Sequence, residues 1–593
     1  MAYSDLQSFL NDLEREGDLV RISAPVDAEL EITEIATRQV RAGGPALLFE
    51  NVKGARYPLA INVLATERRI ERALGMHPSE FGEELVRFVE RVNPPTLKNL
   101  WRNRRTGFRM LKIRPKRVRR AQSQQVVDAS PNLLEMPILK CWPDDGGRFL
   151  TLPLVISRDP DTGVGNMGIY RMHVYDQRTT GMHMQITKGG GFHQRAAEKM
   201  GRDLPMAVAL GGDPALLLAA VMPLPEGVDE VAFSGILRNQ RTRMARGKTV
   251  DLPVPADAEF IIEGVIPAGE RRLEGPFGDH FGHYSGSHDF PVFHVRAITH
   301  RKNPIYPATV VGRPPQEDRY LGDAAQQALN PLMRLIHPEI KDLWAYYESG
   351  FHHLLVVAVE SRFTREHIKT ALGLLGMGQL ALTKAIVLVD PGVNVRDPGA
   401  VLAAIRQNSD TPEDFQLIAR APGDTLDFTT GKWHHGSKMI IDATSGGEGA
   451  DGSRNGAVAL PADLRAIAPA VRKHRLVGQT MLAVQVDRGD DARGVVEALV
   501  RSGLLSSVKI VAVVSDDVDL DDDVDLIWGI FTRFDPAQDV VFTEMTMRGA
   551  VPVYSGVMGI DASWKSGYPA PLVMTDEVSQ RVTSRWHEYF LET

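Results

Sequence analysis

Two carboxylates flank a tight turn near the middle of the chain, where Glu274 and Asp279 enclose the sequence Gly-Pro-Phe-Gly. Glycine and proline set a sharp, rigid backbone path, so this turn can direct both acids toward one point. Two carboxylates in one cleft repel each other, which predicts that one of them has a raised pKa and transfers a proton near neutral pH. His280, His283 and His288 lie close behind the turn.

An asparagine and an arginine bracket the segment Asn166-Met-Gly-Ile-Tyr-Arg171. An asparagine side chain offers a carbonyl oxygen to a hard cation. An arginine offers a planar fork that binds a carboxylate with two hydrogen bonds. Taken alone, the motif is also explained by an ordinary arginine on the protein surface.

Two loops carry further candidate residues. Glu230 ends the loop that starts at Met222 and precedes an apolar run predicted as a strand, so it is either a metal ligand or a solvated residue at the end of a strand. The segment from Lys188 to Gly191 contains three consecutive glycines. These glycines either bring backbone N–H groups to a phosphate or form a flexible loop.

The overall composition excludes several classes of protein. A chain of 593 residues is too long for one core and predicts two to four domains. The net charge of -7 argues against a nucleic-acid binder. The single cysteine, Cys141, excludes an intrachain disulfide framework, favours a reducing cytoplasm, and is read as a buried apolar residue rather than a nucleophile.

Membrane and export signals are not expected. The uncharged apolar runs, such as Leu216 to Pro223, have the length of a buried strand and fall well short of the roughly 20 residues that span a bilayer. The N-terminal residues 1–16 are too acidic for a signal or transit peptide, and their apolar spacing predicts one amphipathic helix.

The pattern of apolar runs predicts a mixed α/β protein with four domains. Residues 1–120 are expected to form a small α/β domain, and residues 121–320 a β-rich domain with the character of a split barrel. Residues 321–456 and 457–593 repeat one order of strands and helices, which indicates parallel βαβ units in two copies. A basic run from Lys98 to Arg120 is read as a linker that is solvated or lies against another copy of the chain, with a phosphate-rich partner as the alternative.

The two copies differ at one position of interest. The first closes with the strand Gly436-Ser-Lys-Met-Ile-Ile-Asp-Ala-Thr444, the second with Gly556-Val-Met-Gly-Ile-Asp-Ala-Ser563. Lys438 of the first copy therefore aligns with Val557 of the second. If Lys438 binds a phosphate, the second copy has lost that role.

The chain resembles the UbiD-like decarboxylases, which use prenylated FMN. The resemblance covers most of the chain and rests on Asn-x4-Arg, Met-Pro-x-Pro-x-Gly-x-x-Glu, Glu-Gly-Pro-Phe-Gly-Asp, Gly312-Arg-Pro-Pro315 and the closing strand that contains Lys438, all in one order. The duplicated C-terminal unit looks like the longer members, including those of menaquinone biosynthesis.

The resemblance implies an acid and arginine network over the prenylated flavin. Arg171 is expected to hold the substrate carboxylate or to tune its neighbouring acid, and Glu274 or Asp279 to deliver the proton that replaces CO2. A divalent metal, Mn2+ or Mg2+, with K+ as a further candidate cation, is expected to hold the cofactor phosphate. The residues implied at the cofactor, beside Arg171, are Asn166 and Glu230 as metal ligands, Lys438 against the phosphate, and Ile169, Tyr170 and Met222 along the flavin.

The sequence departs from the family at the third metal ligand. This ligand is usually a histidine just before the glycine loop, and Thr187 stands there, with His183 and His193 on either side. Thr187 is expected to bind the metal through its hydroxyl or through water. The three histidines after the acid turn match no ligand position of the family and are expected to line the pocket or pack the loop.

Three functions stay open. The first is reversible non-oxidative decarboxylation of an aromatic or α,β-unsaturated acid, and the second is the same chemistry on a quinone-pathway precursor. The third is a flavin carrier without turnover, or a scaffold. A flavin prenyltransferase is expected to supply the cofactor, and the terminal helix, Asp576 to Leu591, is expected to dock on a partner in a homo-oligomer.

Overall fold

The computed structural model describes residues 3–92, 96–102, 114–128, 130–184, 189–224, 228–445 and 458–590. The chain forms two compact units, one of Met1–Ala328 with Pro571–Thr593 and one of Leu329–Ala570. Both units combine helices with sheets, so the predicted mixed α/β class is confirmed. The predicted division into four domains stays a prediction.

The helices of the described residues are α1 (Leu6–Arg15), α2 (Glu31–Arg41), α3 (Glu67–Leu74), α4 (Pro78–Val92), α5 (Leu97–Arg102), α6 (Gly189–Lys199), α7 (Pro214–Val221), α8 (Glu230–Leu237), α9 (Glu317–Met333), α10 (Glu366–Leu374), α11 (Pro398–Asn408), α12 (Thr411–Asp414), α13 (Ala492–Arg501), α14 (Asp523–Phe531), α15 (Pro536–Asp539) and α16 (Asp576–Tyr589).

The strands of the described residues are β1 (Leu19–Ile22), β2 (Ala46–Phe49), β3 (Leu59–Ile61), β4 (Lys116–Arg117), β5 (Val126–Asp128), β6 (Arg148–Leu150), β7 (Leu154–Arg158), β8 (Gly165–Ile169), β9 (Met172–Val174), β10 (Thr179–Met182), β11 (Leu204–Leu210), β12 (Arg243–Arg246), β13 (Pro253–Pro255), β14 (Phe260–Ile266), β15 (Arg271–Glu274), β16 (Phe277–Gly278), β17 (Tyr284–Ser285), β18 (His288–His300), β19 (Tyr306–Pro307), β20 (Ile340–Ala345), β21 (Leu354–Val359), β22 (Ala385–Val389), β23 (Phe415–Ala421), β24 (Gly436–Ala443), β25 (Lys473–Val477), β26 (Met481–Val486), β27 (Ile510–Ser515), β28 (Val540–Arg548) and β29 (Val551–Ala562).

A ten-stranded sheet occupies the centre of the first unit. Its strands follow the order β6-β9-β10-β18-β14-β11-β7-β8, with β5 and β15 also paired to β18. Every residue of β14 is buried, which is typical of a strand covered on both faces. The predicted β-rich region is therefore this sheet, and β18, with 13 residues, is the strand that joins its parts.

One apolar run with the length of a buried strand and one segment predicted as a strand are both helices, and a capping residue precedes each. The run Leu216 to Pro223 lies largely in α7, whose first turn is fixed by Asp213, which accepts the N–H of Leu216, and by a proline at the helix start. The apolar run after Glu230 forms α8, because the side chain of Asp229 accepts two N–H groups of its first turn. Apolar composition alone did not distinguish the two structures.

The terminal helix α16 packs against α2 of the same unit. Its residues Val578, Val582 and Tyr589 are buried. The hydroxyl of Tyr589 donates to the carboxylate of Glu31 on α2 at 2.6 Å. The apolar face that was expected to meet a second copy is therefore covered within the chain.

The second unit contains two five-stranded sheets with the same topology. Their orders are β20-β21-β22-β24-β23 and β25-β26-β27-β29-β28, with three parallel strands inside and an antiparallel strand at each edge. β22 pairs Ala385 with Met439, and β27 pairs Ile510 with Met558. Lys438 and Val557 thus hold equivalent positions, as the alignment of the copies predicts.

Candidate functional site

Two short hairpin strands position the acids of the central turn. Glu274 is the last residue of β15 and lies opposite His288 of β18. Gly275 follows with φ of +92°, a conformation that side chains rarely adopt, so glycine is required there. Asp279 comes directly after β16, which pairs with β17. The turn thereby brings both carboxylates back toward the main sheet.

Arg171, between β8 and β9, lies between the two acids. Its Nε donates to Oε1 of Glu274 at 2.8 Å, and its Nη2 donates to Oε2 at 3.0 Å. Its Nη1 donates to Asp279, and its Nη2 also donates to Oγ of Ser285 at 3.0 Å. The ring of Phe277 covers the guanidinium at 4.7 Å. These contacts engage four of the five N–H donors of the arginine and fix the plane of its guanidinium.

The expectation that one acid has a raised pKa is wrong for this arrangement. Glu274 is 0% exposed, and its burial disfavours the ionised form. The charge of Arg171 and the hydrogen bonds from His183 and Arg171 outweigh this effect and lower the pKa of Glu274 to about 2. Burial also opposes the charge of Asp279, but His280 and Arg171 outweigh it and lower its pKa. Both carboxylates are ionised at neutral pH, because Arg171 lies between them and His183 and His280 contact them from the other sides.

Two histidines complete the cluster. The Nδ1 of His183 lies 3.3 Å from Oε2 of Glu274, and its ring packs on Phe290 with 4.4 Å between ring centres. Burial, and then the charge of Arg171, lower the pKa of His183. A neutral His183 can donate one hydrogen bond to the carboxylate. The Nδ1 of His280 lies 2.7 Å from Oδ1 of Asp279. Its predicted role in lining the pocket or packing the loop stays a prediction.

Asp145 holds the acid turn in place, and the sequence analysis missed it. Its Oδ1 accepts the N–H of Gly278, the residue before Asp279, at 2.7 Å. Its Oδ2 accepts the N–H groups of Cys141 and Trp142 at 3.0 and 2.9 Å. The available signal was an acid beside two glycines, which is common in turns and therefore weak.

The tight fit around this turn leaves no space for side chains. A Cβ on Gly278 would lie 2.2 Å from the Trp142 ring, and a Cβ on Gly146 would lie 2.2 Å from the carbonyl oxygen of Gly275. The N–H of Gly146 also donates to the carbonyl of Pro276 at 2.8 Å. The loop around Asp145 and the acid turn are therefore packed closely and joined by hydrogen bonds in both directions. Cys141 is buried there, as predicted, with a pKa raised by burial.

Glu230 and Asn166 lie on neighbouring elements, α8 and β8. Oε2 of Glu230 accepts the N–H of Met167 at 2.9 Å. Burial, with a smaller contribution from Asp229, raises the pKa of Glu230 to about 7. Within the described residues, no Lys, Arg or His forms an ion pair with Glu230. Glu230 is thus a half-buried acid without a counter-cation, and it contacts Met167, the neighbour of Asn166, whose side chain offers an amide oxygen. This combination fits a bound hard cation.

The three glycines before Phe192 are the first turn of helix α6, and a plain flexible loop is therefore wrong for them. A Cβ on Gly189 would lie 2.0 Å from Oδ1 of Asn166, and a Cβ on Gly190 would contact the ring of Tyr170 at 3.0 Å. The N–H of Gly190 donates to the hydroxyl of Tyr170 at 2.9 Å. Glycine is needed here so that α6 can approach β8.

The remaining predicted residues are placed as follows. Ile169 ends β8 and is half-buried, and Tyr170 follows it, buried. Met222 is buried at the end of α7, which packs beside β8 and α8. Thr187 lies outside the described residues, as do residues 103–113 of the basic run and most of the glycine-rich linker between the copies. Among the residues that are described, no group of three His, Cys, Asp or Glu is placed to hold a metal.

Lys438 belongs to the second unit, whereas the other predicted site residues belong to the first. Its ammonium donates to the carbonyls of Ala381 and Thr383 at 2.6 and 2.7 Å. Burial lowers its pKa to about 8. Two of its three N–H bonds are thus used within the second unit, and its role at a phosphate stays a prediction. None of the described helices has the length and apolar character needed to cross a lipid bilayer.

Three family models match this chain. They are described as the N-terminal, Rift-related and C-terminal domains of UbiD, 3-octaprenyl-4-hydroxybenzoate carboxy-lyase. They match residues 10–89, residues 116–314, and residues 319–443 with 463–562. The C-terminal model thus extends over both copies of the repeated unit.

Relatives match over three quarters of the chain or more. A protein of Chlamydia pneumoniae, named as one of the subunits of 4-hydroxybenzoate decarboxylase, is 37% identical over 599 residues, which cover 99% of this chain and 98% of the relative. An uncharacterized protein of Archaeoglobus fulgidus is 44% identical over 450 residues, which cover 75% of this chain and 92% of that protein.

Solved structures show the same fold over about three quarters of the chain. The vanillic acid decarboxylase of Sedimentibacter hydroxybenzoicus, in closed form, has a TM-score of 0.68 at 26% identity and covers 78% of this chain and 97% of its own. The UbiD-class enzyme HmfF of Pelotomaculum thermopropionicum, in complex with FMN, has a TM-score of 0.65 at 28% identity and covers 77% of this chain and 97% of its own. An evolved dimeric form of HmfF contains prFMN and has a TM-score of 0.62 at 27% identity, covering 74% of this chain and 95% of its own. The chain belongs to the UbiD family of carboxy-lyases.

Proposed function

We propose that this carboxy-lyase catalyses the reversible non-oxidative decarboxylation of an aromatic or α,β-unsaturated carboxylic acid with prenylated FMN as its cofactor. The observation that carries the proposal is the buried cluster in which Arg171 lies between Glu274 and Asp279. The FMN and prFMN complexes of HmfF and the names of the vanillic and 4-hydroxybenzoate decarboxylases support it.

Prenylated FMN, when bound, supplies the electron sink that removal of CO2 from an sp2 carbon requires. Five of the residues proposed to hold it, Asn166, Ile169, Tyr170, Met222 and Glu230, lie on β8 or on elements next to it. Asn166 and Glu230 bind a divalent metal, Mn2+ or Mg2+, with K+ as a further cation, at the cofactor phosphate. The other proposed contacts are Thr187 as a weak third metal ligand, Lys438 against the phosphate, and Ile169, Tyr170 and Met222 along the flavin.

Arg171 is proposed to bind the substrate carboxylate while it stays beside its two acids. Without substrate, the cluster of Arg171, Glu274 and Asp279 has one positive and two negative charges. A third carboxylate adds a negative charge in a buried site, where unbalanced charge is costly. We expect the cluster to take up one proton, because this restores the original net charge.

Glu274 is the acid proposed to carry this proton. When Arg171 turns part of its donors to the substrate, Glu274 loses part of the interaction that, together with His183, lowers its pKa, while its complete burial still disfavours the ionised form. The protonated carboxyl can then donate to the carbon that loses CO2. One proton taken up at binding equals the one proton consumed by decarboxylation.

The experiment is the variant Glu274→Gln in protein co-expressed with a flavin prenyltransferase. We expect CO2 release from an aryl-acid panel that includes 4-hydroxybenzoate to fall by about 10²–10⁴-fold, as for loss of a general acid, with the flavin absorbance retained. Glu270→Gln is the control, because Glu270 lies on the adjacent turn and pairs with the exposed His294. A Glu274→Gln enzyme with near wild-type turnover would contradict the role of Glu274.

A quinone-pathway precursor is the second candidate substrate. The family models that match this chain are described by 3-octaprenyl-4-hydroxybenzoate, which favours it. The discriminating measurement compares CO2 exchange on 4-hydroxybenzoate with exchange on its prenylated form. A coloured protein that is inert across the whole panel would support a flavin carrier, and a colourless protein would contradict the cofactor.

A further inference from the structure

The hairpin of β28 and β29 projects from the second sheet of the second unit. All five residues from Glu544 to Arg548 are exposed, so neither face of β28 is covered there. Met545 and Met547 are 63% and 61% exposed, and Val551 on β29 is 63% exposed. On β29 the residues from Val553 to Ser555 are half-buried, so the bare part of the ribbon is β28 and the tip. Exposed apolar residues on such a strand mark an interaction surface.

The outer edge of β28 is open for pairing. It is the last strand of its sheet, and within the described residues no further strand pairs with it. Pairing with β29 runs without interruption from Glu544 to Arg548. The equivalent edge strand of the first copy, β23, has a break in register after Ile418, and Arg420 within the break has φ of +59°. β28 has a break of its own between Phe542 and Glu544, but the five residues beyond it pair regularly. An irregular edge blocks strand addition, whereas a regular edge permits it.

The charges on β28 are complementary to a second copy of the same strand. If two copies pair antiparallel with Thr546 at the centre, Glu544 of each copy lies opposite Arg548 of the other. The same register places Met545 opposite Met547, on the other face. In the described structure, neither Glu544 nor Arg548 forms an ion pair within its own chain. Both ion pairs and the methionine contacts therefore form together in one register.

We infer that this chain forms a two-fold dimer in which the β28 strands of two copies pair antiparallel about Thr546. The five-stranded sheet β25-β26-β27-β29-β28 of one copy then joins the same sheet of the other copy to form one ten-stranded sheet. The two hairpins of β28 and β29 form a four-stranded ribbon. The contact is isologous, because the same surface is used by both copies, so it closes after two chains. A second copy of this chain is the occupant, since the charge pattern complements itself.

The first experiment reverses the charges on the full-length protein. Glu544→Arg and Arg548→Glu each place like charges opposite each other twice, and we expect each variant to weaken the dimer by roughly tenfold or more. Mixing the two variants restores both ion pairs, so the mixture regains the dimer mass by light scattering. Lys473→Glu on β25, the opposite edge of the same sheet, is the control and keeps the wild-type mass.

The second experiment tests the register. Thr546→Cys places two thiols opposite each other across the pair, and mild oxidation is expected to give a covalent dimer. Glu544→Cys places the thiols four residues out of register on each strand, so it is the matched variant that does not cross-link. The only native cysteine, Cys141, is buried and does not compete.

Several results would overturn the inference. They are a monomeric wild type at high concentration, single charge reversals that leave the mass unchanged, a mixture of the two reversals that stays monomeric, or cross-linking through position 544 in place of 546. A different protein bound to the same edge, with the wild type otherwise monomeric, would also overturn it. All of these readouts are independent of catalytic activity.

Discussion

Glu274 and Glu230 are two glutamates withdrawn from solvent in the same unit, and their pKa values move in opposite directions. Glu274 has a pKa of about 2, because Arg171 and His183 outweigh the effect of its complete burial. Glu230 has a pKa of about 7, because burial meets no cation among the described residues. The described part of the chain provides a counter-charge for Glu274, whereas a counter-charge for Glu230 has to come from a bound cation.

This difference assigns different tasks to the two ends of β8. At the Arg171 end, one cation already lies between two ionised carboxylates before substrate arrives, so a further carboxylate must bring a proton with it. At the Asn166 end, the unbalanced charge favours a metal ion. The predictions below change one end while the other remains as an internal control.

The largest effect is expected from Arg171→Met. Two buried carboxylates then lose their cation, which we expect to lower the free energy of unfolding by about 3–5 kcal/mol and to remove measurable decarboxylation. Urea unfolding with the exposed ion-pair variant Arg246→Met as control measures the first effect.

The same variant reverses a pH dependence. In the wild type, the low pKa of Glu274 stabilises the fold above pH 4.5, and this stability is lost as the pH falls from 4.5 toward 2. Without Arg171, burial raises the pKa of Glu274 above 4.5, so stability is instead lost as the pH rises above 4.5. If the free energy of unfolding depends on pH with the same slope in both proteins, Arg171 is not the cation that lowers the pKa of Glu274.

Glu230→Gln is expected to separate the metal from the fold. Mn2+ at 100 times its dissociation constant stabilises the wild type by about 2.7 kcal/mol and the variant by almost nothing. In metal-free protein the variant is at least as stable as the wild type, because it removes an unpaired charge. Asp229→Asn keeps the helix cap and serves as the control. A Mn2+ response that persists in Glu230→Gln would place the metal elsewhere.

Asp145→Asn tests the loop that holds the acid turn. An asparagine has one acceptor oxygen where Asp145 has two, so the N–H of Gly278 loses its acceptor when the remaining oxygen faces Cys141 and Trp142. Because the catalytic groups are then misplaced, we expect kcat to fall by about ten- to a hundredfold with KM little changed. Burial raises the pKa of Asp145 to about 6, so the wild-type rate should fall as the pH drops through 6 while the variant lacks that step. Asp144→Asn is the exposed neighbour used as control. A rate that responds equally to both variants would argue against positioning by Asp145.

The smallest effect is expected from His183→Phe. The phenyl ring can keep the packing on Phe290 but cannot donate to Glu274, so one hydrogen bond worth about 1 kcal/mol is lost, or about fivefold in rate. His294→Phe, at an exposed surface pair, is the control. A loss as large as that of Glu274→Gln would give His183 a direct role in the proton transfer.

The sequence predicted the parts of this molecule that depend on local pattern. The parallel strands of the repeated unit follow from apolar runs such as Leu354–Val359 and Ala385–Val389, which are buried at every position. The acid turn was found because glycine and proline stand between Glu274 and Asp279. The pairing of these acids with Arg171 came from the family resemblance, and the structure places the three together.

The features that were missed depend on contacts across long stretches of chain. Arg171 and Glu274 are 103 residues apart, and the repulsion expected between two neighbouring acids ignored the cation that the sheet inserts between them. Asp145 and Gly278 are 133 residues apart, and no local signal links them. At Asp213, the capping signal was present but was outweighed by the apolar run behind it.

The most direct test of the account is the number of protons taken up when a carboxylate ligand binds. Benzoate titrated into cofactor-loaded protein at pH 7, by calorimetry in phosphate and in Tris, gives this number from the difference in heat between the buffers. We expect close to one proton per benzoate bound in the wild type and none in Glu274→Gln. Binding without proton uptake in the wild type would contradict the claim that the Arg171 cluster loads the proton that replaces CO2.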